Sequence, residues 1–170
     1  DRQVAKNTFF ALIYGASRQK IAKMLDYTVD EATDLVAGLY ERRPAMKKFM
    51  TAVKDRALSH RYLKGLDGRR LYPRSIHSSV NLLIQAAGAC VSKQAALNTH
   101  QTLVDYWMDV YDIGLVGFIH DEIIIDVPED TAEAIVSVGI SSFKKTTGQF
   151  ELRCPMDGDG RIGKTWYDIH

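Results

Sequence analysis

The chain has 170 residues and a mass of 19.1 kDa, the size of one ordinary domain or of part of a longer protein. With 46% hydrophobic and 25% charged residues, its composition excludes a disordered chain, a collagen-like repeat and a small disulfide scaffold. No apolar run is long enough to cross a membrane, so we expect no membrane partner. Cys90 and Cys154 lie far apart without a CxxC pattern, which predicts reduced thiols, no sulfur-based metal site and a cytoplasmic location.

The net charge of +1 conceals an uneven distribution of charged residues. Residues 41–80 contain eleven Lys and Arg against three Asp and Glu, whereas residues 118–170 contain five against ten. The basic segment suits a polyanion such as nucleic acid, because Lys and Arg make most phosphate contacts. On charge alone, a solvated helical face is an equally good interpretation.

The first part of the chain is predicted to be helical. Apolar residues at helical spacing predict a helix over 3–25 with a break near Gly15. A second helix is predicted to begin where Thr28 or Asp30 can cap it and to end near Arg43.

A third helix and a hairpin are predicted next. Pro44 suits the first turn of a helix over 44–59. Four of its side chains are expected to face inward: Met46, Phe49, Met50 and Val53. The turn sequence Asp67-Gly68 predicts a hairpin within residues 60–76.

The rest of the chain mixes helices with strands. The predicted elements are a long helix over 78–110, strands over 114–119 and 123–127, a helix over 129–145 and a short strand over 150–154. Helices followed by a hairpin, a helix and a strand indicate an α+β fold.

Four residues recur at steps of four in the first predicted helix: Arg2, Lys6, Phe10 and Tyr14. Helical geometry places them on one face. Two cations can hold a triphosphate, and two aromatic rings can support a base or a sugar. The alternative is an amphipathic helix whose aromatic residues are core, and for this motif alone the alternative is stronger.

A second motif pairs Asn81 with Gln85, four residues apart on an apolar helix that follows Arg74 and His77. Amide side chains can both donate and accept, so they can contact the acceptors of the DNA minor groove. The alternative is a pair of amides that bond to neighbouring backbone.

A third motif is the polar triplet His120-Asp121-Glu122 between two apolar strands. Two adjacent acids are not what a tight hairpin turn requires. A carboxylate at this tip could bind a hard divalent ion such as Mg²⁺, which prefers oxygen ligands. An exposed turn without a function is the alternative.

In this order, the motifs resemble those of family A DNA polymerases, the family of bacterial DNA polymerase I. The Arg2 to Tyr14 motif resembles the fingers helix of that family, and His120-Asp121-Glu122 resembles its palm motif. Between them stand Gly65-Leu66-Asp67-Gly68-Arg69-Arg70 and the Asn81 and Gln85 pair, so the likeness spans essentially the whole chain. The compact spacing and the last five residues are most similar to replicative polymerases of short-tailed phages.

The resemblance implies roles in nucleotide binding for the first motif. Arg2 and Lys6 would hold the phosphates of an incoming dNTP, and Phe10 would contact its sugar. Tyr14 would stack near the templating position.

The resemblance also implies a DNA-binding set and a catalytic set. Primer–template DNA would be contacted by Asn81, Gln85, His77, Arg74 and Arg69, although many members have Arg at the position of His77. The catalytic residues would be His120 near the primer 3′ end, Asp121 as ligand of two Mg²⁺ ions, and Glu122 in a supporting role.

The implied function is template-directed DNA synthesis, in which a DNA-directed DNA polymerase transfers a nucleotide from a dNTP to a primer 3′-hydroxyl. Residues 1–60 would be fingers helices and residues 61–170 a portion of the palm. The family's other essential Asp belongs to an Asp-Tyr-Ser-x-Ile-Glu-like strand that this sequence lacks, together with the thumb and the exonuclease carboxylates. The chain also begins without Met, so we expect a fragment that is inactive alone and needs an upstream polymerase fragment as partner.

Two other interpretations compete with this one. A catalytically incomplete DNA-binding remnant or structural module would keep the basic surface without the chemistry. A His-Asp metal phosphohydrolase is disfavoured, because the remaining histidines show no metal-ligand spacing.

Overall fold

A computed structural model of the chain describes residues 2–170. Helices dominate this range, and its longer helices and its strands are, in chain order, α1 (Arg2–Ile13), α2 (Arg18–Leu25), α3 (Val29–Arg42), α4 (Pro44–His60), β1 (Leu63–Lys64), β2 (Arg70–Leu71), α5 (Ser79–Tyr106), β3 (Gly114–Ile119), β4 (Glu122–Asp126), α6 (Ala132–Gln149) and α7 (Trp166–Ile169). A 3₁₀ turn, Glu129–Thr131, precedes α6. The predicted α+β class is confirmed.

The chain divides into two compact units, Asp1–Ala86 and Ala87–His170, and the division falls inside α5. None of the helices formed by residues 2–170 combines the length and the apolarity that a membrane span requires. The predicted functional boundary between residues 60 and 61 stays a prediction.

The break between α1 and α2 is built around Gly15. This residue has φ +78°, a left-handed conformation that favours glycine. A Cβ at this position would also collide with the backbone carbonyl of His77. Helix α2 then restarts at Ser17, whose side chain accepts a hydrogen bond from the backbone N–H of Lys20. The predicted break is therefore confirmed, and it also brings the segment before α5 against the end of α1.

Helix α3 begins at a capping box, which decides between the two predicted caps. Thr28 accepts a hydrogen bond from the N–H of Glu31, and the Glu31 carboxylate accepts one from the N–H of Thr28. The hydrogen bonds that the Glu31 carboxylate accepts from the backbone N–H and from the hydroxyl of Thr28 lower the pKa of this carboxyl group.

The first unit has one hydrophobic core. Its fully buried residues come from all four N-terminal helices, the first hairpin and the start of α5, and include Leu12, Ile21, Val36, Met50 and Val80. Burial of each such side chain contributes about 1.5–3 kcal/mol to stability.

The prediction for Phe49 was wrong, because 43% of this residue is exposed. Met50 and Val53 are buried in the core and Met46 packs against it, so the prediction is confirmed for these three. Phe49 lies one residue, and hence about 100°, away from Met50 on the helix and so faces solvent. The predicted hairpin is confirmed, with β1 and β2 paired antiparallel.

The second unit is built on α5, α6 and the antiparallel β3–β4 hairpin. Leu103, Ile113 and Ile135 form its core cluster. Asn98 is buried nearby and donates a hydrogen bond of 2.8 Å to the side chain of Gln149. A register shift between Leu115 and Gly117 introduces a bulge into the hairpin, which increases its local twist.

The predicted strand over 150–154 was wrong. The backbone N–H groups of Phe150 and Leu152 bond to the carbonyls of Thr146 and Thr147 in the last turn of α6. Glu151 has φ +50° in the same turn. A segment that closes a helix in this way cannot also present an extended strand edge. The structure also ends α5 at Tyr106 rather than near residue 110.

Candidate functional site

The four residues of the first motif are all exposed. Arg2, Lys6 and Phe10 lie on α1, and Tyr14 continues the same face because its N–H bonds to the carbonyl of Phe10. Phe10 and Tyr14 are 44% and 52% exposed, so they are not core residues. Their rings stack with centroids 6.4 Å apart and planes 22° apart. This face therefore presents two cations and an aromatic pair to solvent.

The structure brings the first and second motifs together. Gln85 on α5 donates a hydrogen bond of 3.4 Å from Nε2 to the hydroxyl of Tyr14. His77, whose side chain is exposed, has its backbone against Gly15. Two motifs separated by about seventy residues in sequence thus form one surface of the first unit, which the sequence did not predict.

Asn81 does not bond to neighbouring backbone as the alternative interpretation required. The residue is half-buried, and its Oδ1 atom is buried without a hydrogen-bond partner among residues 2–170. An unpaired buried acceptor costs about 1–3 kcal/mol.

The two arginines of the predicted DNA-binding set differ in their surroundings. Arg74 is exposed in the segment between β2 and α5. Arg69 forms an ion pair with Asp67 in the turn of the first hairpin, where Asp67 also accepts a bond from the Arg69 backbone N–H. The ion pair stabilises the turn and offsets part of the charge of Arg69.

The third motif forms the tip of the β3–β4 hairpin. Ile119 pairs with Glu122, so His120 and Asp121 alone make the two-residue turn. Both are exposed, and His120 has φ +55°. A positive φ at the first residue of a two-residue hairpin turn follows from the twist of the paired strands, and histidine adopts it more readily than most residues do.

Glu122 is held by a contact that the sequence did not reveal. Its two carboxylate oxygens lie 3.0 and 3.1 Å from Nε2 of His170. The imidazole of His170 stacks on Trp166 at a centroid distance of 3.9 Å, and its Nδ1 lies 3.0 Å from the Trp166 carbonyl. Because both ring nitrogens face oxygen acceptors, the imidazolium form satisfies this arrangement best.

These contacts raise the pKa of His170, first through the Trp166 carbonyl and then through the Glu122 carboxylate. Helix α7 presents His170 to Glu122 because a capping box between Thr165 and Asp168 begins the helix. The Thr-x-x-Asp pattern could have predicted this short helix, but no local spacing connects residues 122 and 170.

Asp121 is the side chain best suited to a hard cation. Within residues 2–170 its exposed carboxylate has no hydrogen bond or ion pair, so its oxygen atoms are available. The described residues contain no group of three or more His, Cys, Asp or Glu side chains arranged as a metal site.

Comparisons with known proteins identify the family of the chain. Residues 1–168 match the sequence profile of DNA polymerase family A, and the chain therefore belongs to this family.

Phage and bacterial relatives cover nearly the whole chain. It is 26% identical to the DNA-directed DNA polymerase of Enterobacteria phage T3 over 99% of its length, and 28% identical to DNA polymerase I of Rhizobium leguminosarum over 99%. The chain spans only 27% and 18% of those two proteins.

A similar fold is found in a solved structure described as the POL domain of Pol1 from M. smegmatis in complex with DNA primer–template and dNTP. The TM-score is 0.77 at 21% identity, and the match covers 93% of this chain and 28% of that one.

Proposed function

We propose that this chain supplies the fingers helices (residues 1–60) and part of the palm (residues 61–170) for template-directed DNA synthesis. In this reaction the 3′-hydroxyl of a primer attacks the α-phosphate of a dNTP and pyrophosphate leaves. The observation that carries the proposal is the exposed α1 face, where two cations and an aromatic pair are joined to Gln85. The phage and bacterial relatives favour action in the cytoplasm of a bacterium or an infected cell.

In this proposal the α1 face binds the incoming nucleotide. Arg2 and Lys6 neutralise its phosphates through charge-assisted hydrogen bonds. Phe10 packs against its sugar, and Tyr14 stacks at the templating position. The hydrogen bond from Gln85 orients the Tyr14 ring, which links nucleotide selection to the duplex-binding residues.

The duplex is bound by residues of the first hairpin and of α5. The exposed Arg74 and His77, with Arg69, provide cationic or polar contacts to the DNA backbone. Asn81 and Gln85 face the minor groove, where every base pair offers acceptors. The amide N–H groups of both side chains would donate to those acceptors.

At the hairpin tip, Asp121 would hold Mg²⁺ and His120 would lie near the primer terminus. When bound, two Mg²⁺ ions supply Lewis-acid activation of the 3′-hydroxyl and stabilisation of the leaving pyrophosphate. Glu122, anchored by His170, supports the tip without being an obligatory ligand. A second carboxylate ligand is proposed to come from an upstream polymerase segment.

Primer extension tests this proposal. We expect the purified 170-residue chain alone not to extend a primed template with Mg²⁺ and dNTPs, and an added upstream polymerase fragment to restore synthesis. Extension by the chain alone would contradict the requirement for a second carboxylate. Failure of every upstream fragment to restore synthesis, while the complex still binds primer–template, would favour the DNA-binding remnant instead.

A further inference from the structure

A cluster of cationic and aromatic side chains lies beside the β1–β2 hairpin. Of its members only Arg70 belongs to a motif described above, the Gly65 to Arg70 run, and none of them has been given a role. The guanidinium carbons of Arg70 and Arg56 lie 4.7 and 5.9 Å from the ring centroid of Tyr62. The ring of Tyr72 is 6.2 Å from that of Tyr62, and the ring of His60 is 6.3 Å away. We call these five residues the Tyr62 cluster.

The register of the hairpin explains why the two tyrosines meet. Leu63 pairs with Leu71, and both leucines pack into the core of the first unit. Side chains alternate between faces along a strand, so the next residues outward, Tyr62 and Tyr72, leave the core face together. Tyr72 is 65% exposed, far more than packing against one neighbour requires.

The cationic members of the cluster are not neutralised by acids. Among residues 2–170, neither Arg56 nor Arg70 forms an ion pair. Both are exposed, and both lie in the segment 41–80, where Lys and Arg outnumber Asp and Glu by eleven to three. The cluster therefore joins an accessible ring surface to uncompensated positive charge.

We propose that the Tyr62 cluster binds unpaired, single-stranded DNA. The exposed ring of Tyr72 stacks on a base, and the guanidinium groups of Arg56 and Arg70, held over the ring of Tyr62, contact the adjoining phosphates. Aromatic platforms with cations beside them are the general means by which proteins hold single strands without reading their sequence. This inference rests on the proposed function, which is the reason for choosing DNA as the polymer.

The exposed ring distinguishes DNA from an acidic peptide as the occupant. A peptide rich in Asp and Glu would be attracted by the arginines and would gain little from Tyr72. A duplex would also gain little, because its bases are stacked and their faces are covered. Only an unpaired strand offers both free base faces to the Tyr72 ring and phosphates to the arginines.

The experiment measures binding of the 170-residue chain to a fluorescein-labelled oligothymidylate of about twelve nucleotides by fluorescence anisotropy. Tyr72→Ala is expected to weaken binding by about tenfold, because one stacking contact is lost. Tyr72→Phe keeps the ring and should bind like the unaltered chain. Tyr106→Ala is the matched control, since Tyr106 is 75% exposed and lies outside the cluster, and its binding should not change.

The arginines are tested by the salt dependence of the same binding. Arg56→Gln should reduce the slope of log K against log salt by about 0.7, the value for one phosphate contact on a single strand. Thermal melting of each variant checks that it is folded. Tyr72→Ala should have the melting temperature of the unaltered chain, because Tyr72 is mostly exposed.

Three results would overturn the proposal: no binding of oligothymidylate by the unaltered chain, equal binding by Tyr72→Ala, or equal losses for Tyr72→Ala and Tyr106→Ala. Displacement of the oligonucleotide by oligoglutamate at equal charge concentration would likewise assign the cluster to acidic peptides. Primer extension with an upstream fragment tests the proposed function separately. Its failure would leave oligothymidylate binding at this cluster intact, so the two failures are distinguishable.

Discussion

The exposed face of α1 and the tip of the β3–β4 hairpin both present polar side chains to solvent, but different forces position them. On α1, residues four apart meet because the helix repeats every 3.6 residues. At the hairpin tip, His120 adopts φ +55°, and Glu122 is held by His170, 48 residues away. The helix face is therefore a product of local geometry, whereas the tip depends on a tight turn with one left-handed residue and on a distant contact.

This difference predicts how each region responds to substitution. A substitution on the α1 face removes one contact and leaves the helix intact, so we expect each such substitution to reduce nucleotide binding only in part. A change at the tip alters exposed residues of a tight turn, so its effect on chemistry should be much larger than its effect on stability.

Asp121→Asn gives the largest expected effect. In an enzyme reconstituted with an upstream fragment, primer extension should slow by about a thousandfold, because a loss of about 4 kcal/mol in transition-state stabilisation accompanies removal of a metal ligand. Stability should change by no more than about 0.5 kcal/mol, since the residue is exposed. Glu122→Gln is the control and should lose less activity. Near-normal synthesis by Asp121→Asn, or loss of synthesis only through unfolding, would remove Asp121 from the proposed metal site.

Gly15→Ala tests the joint that connects α1 to the segment before α5. It should destabilise the chain by about 2–3 kcal/mol in urea denaturation, because φ +78° is strained for alanine and the new Cβ meets the His77 carbonyl. Gly88→Ala is the matched control, as a Cβ there has no neighbour within 4 Å, and alanine in a helix should stabilise by up to about 1 kcal/mol. Equal stability of the two variants would show that the joint does not constrain α1.

Lys6→Ala should weaken capture of the incoming dNTP by about tenfold, because one charge-assisted phosphate contact is lost. Steady-state primer extension by the reconstituted enzyme would show this as a raised KM. Lys20→Ala removes another exposed cation, on α2 rather than on the α1 face, and should leave KM unchanged. Equal effects of the two substitutions would indicate a general charge effect and not a phosphate site.

The contact between His170 and Glu122 gives the smallest expected effect. The pKa of His170 is raised above its ordinary value of 6.5, so the stabilisation that its imidazolium provides is fully present below that value. The stabilisation is lost as the pH rises through the raised pKa. An NMR titration of the imidazole protons should show a lower pKa in Glu122→Gln, although the Trp166 carbonyl continues to raise it. Identical titration curves in the two proteins would mean that the carboxylate does not hold the ring in solution.

The elements that the sequence predicted correctly are those with strong local determinants. Thr28 with Glu31, Pro44 at the start of α4 and Asp67-Gly68 in the first hairpin each act within a few residues. The predicted strand over 150–154 was wrong because the backbone N–H groups of Phe150 and Leu152 bond to carbonyls at the end of α6. Phe49 failed because the apolar pattern of α4 did not show which of two adjacent residues faced the core.

The sequence by itself determined the helical register of Arg2, Lys6, Phe10 and Tyr14, the two-strand context of Asp121 and the basic character of residues 41–80. These are consequences of spacing and composition, which act over short distances along the chain. Only the tertiary structure decided that Gln85 meets Tyr14, that His170 holds Glu122 and that two arginines flank Tyr62. Such contacts depend on how separate elements pack. The free energy of packing is spread over many residues that are distant in sequence, so no local sequence pattern predicts these contacts.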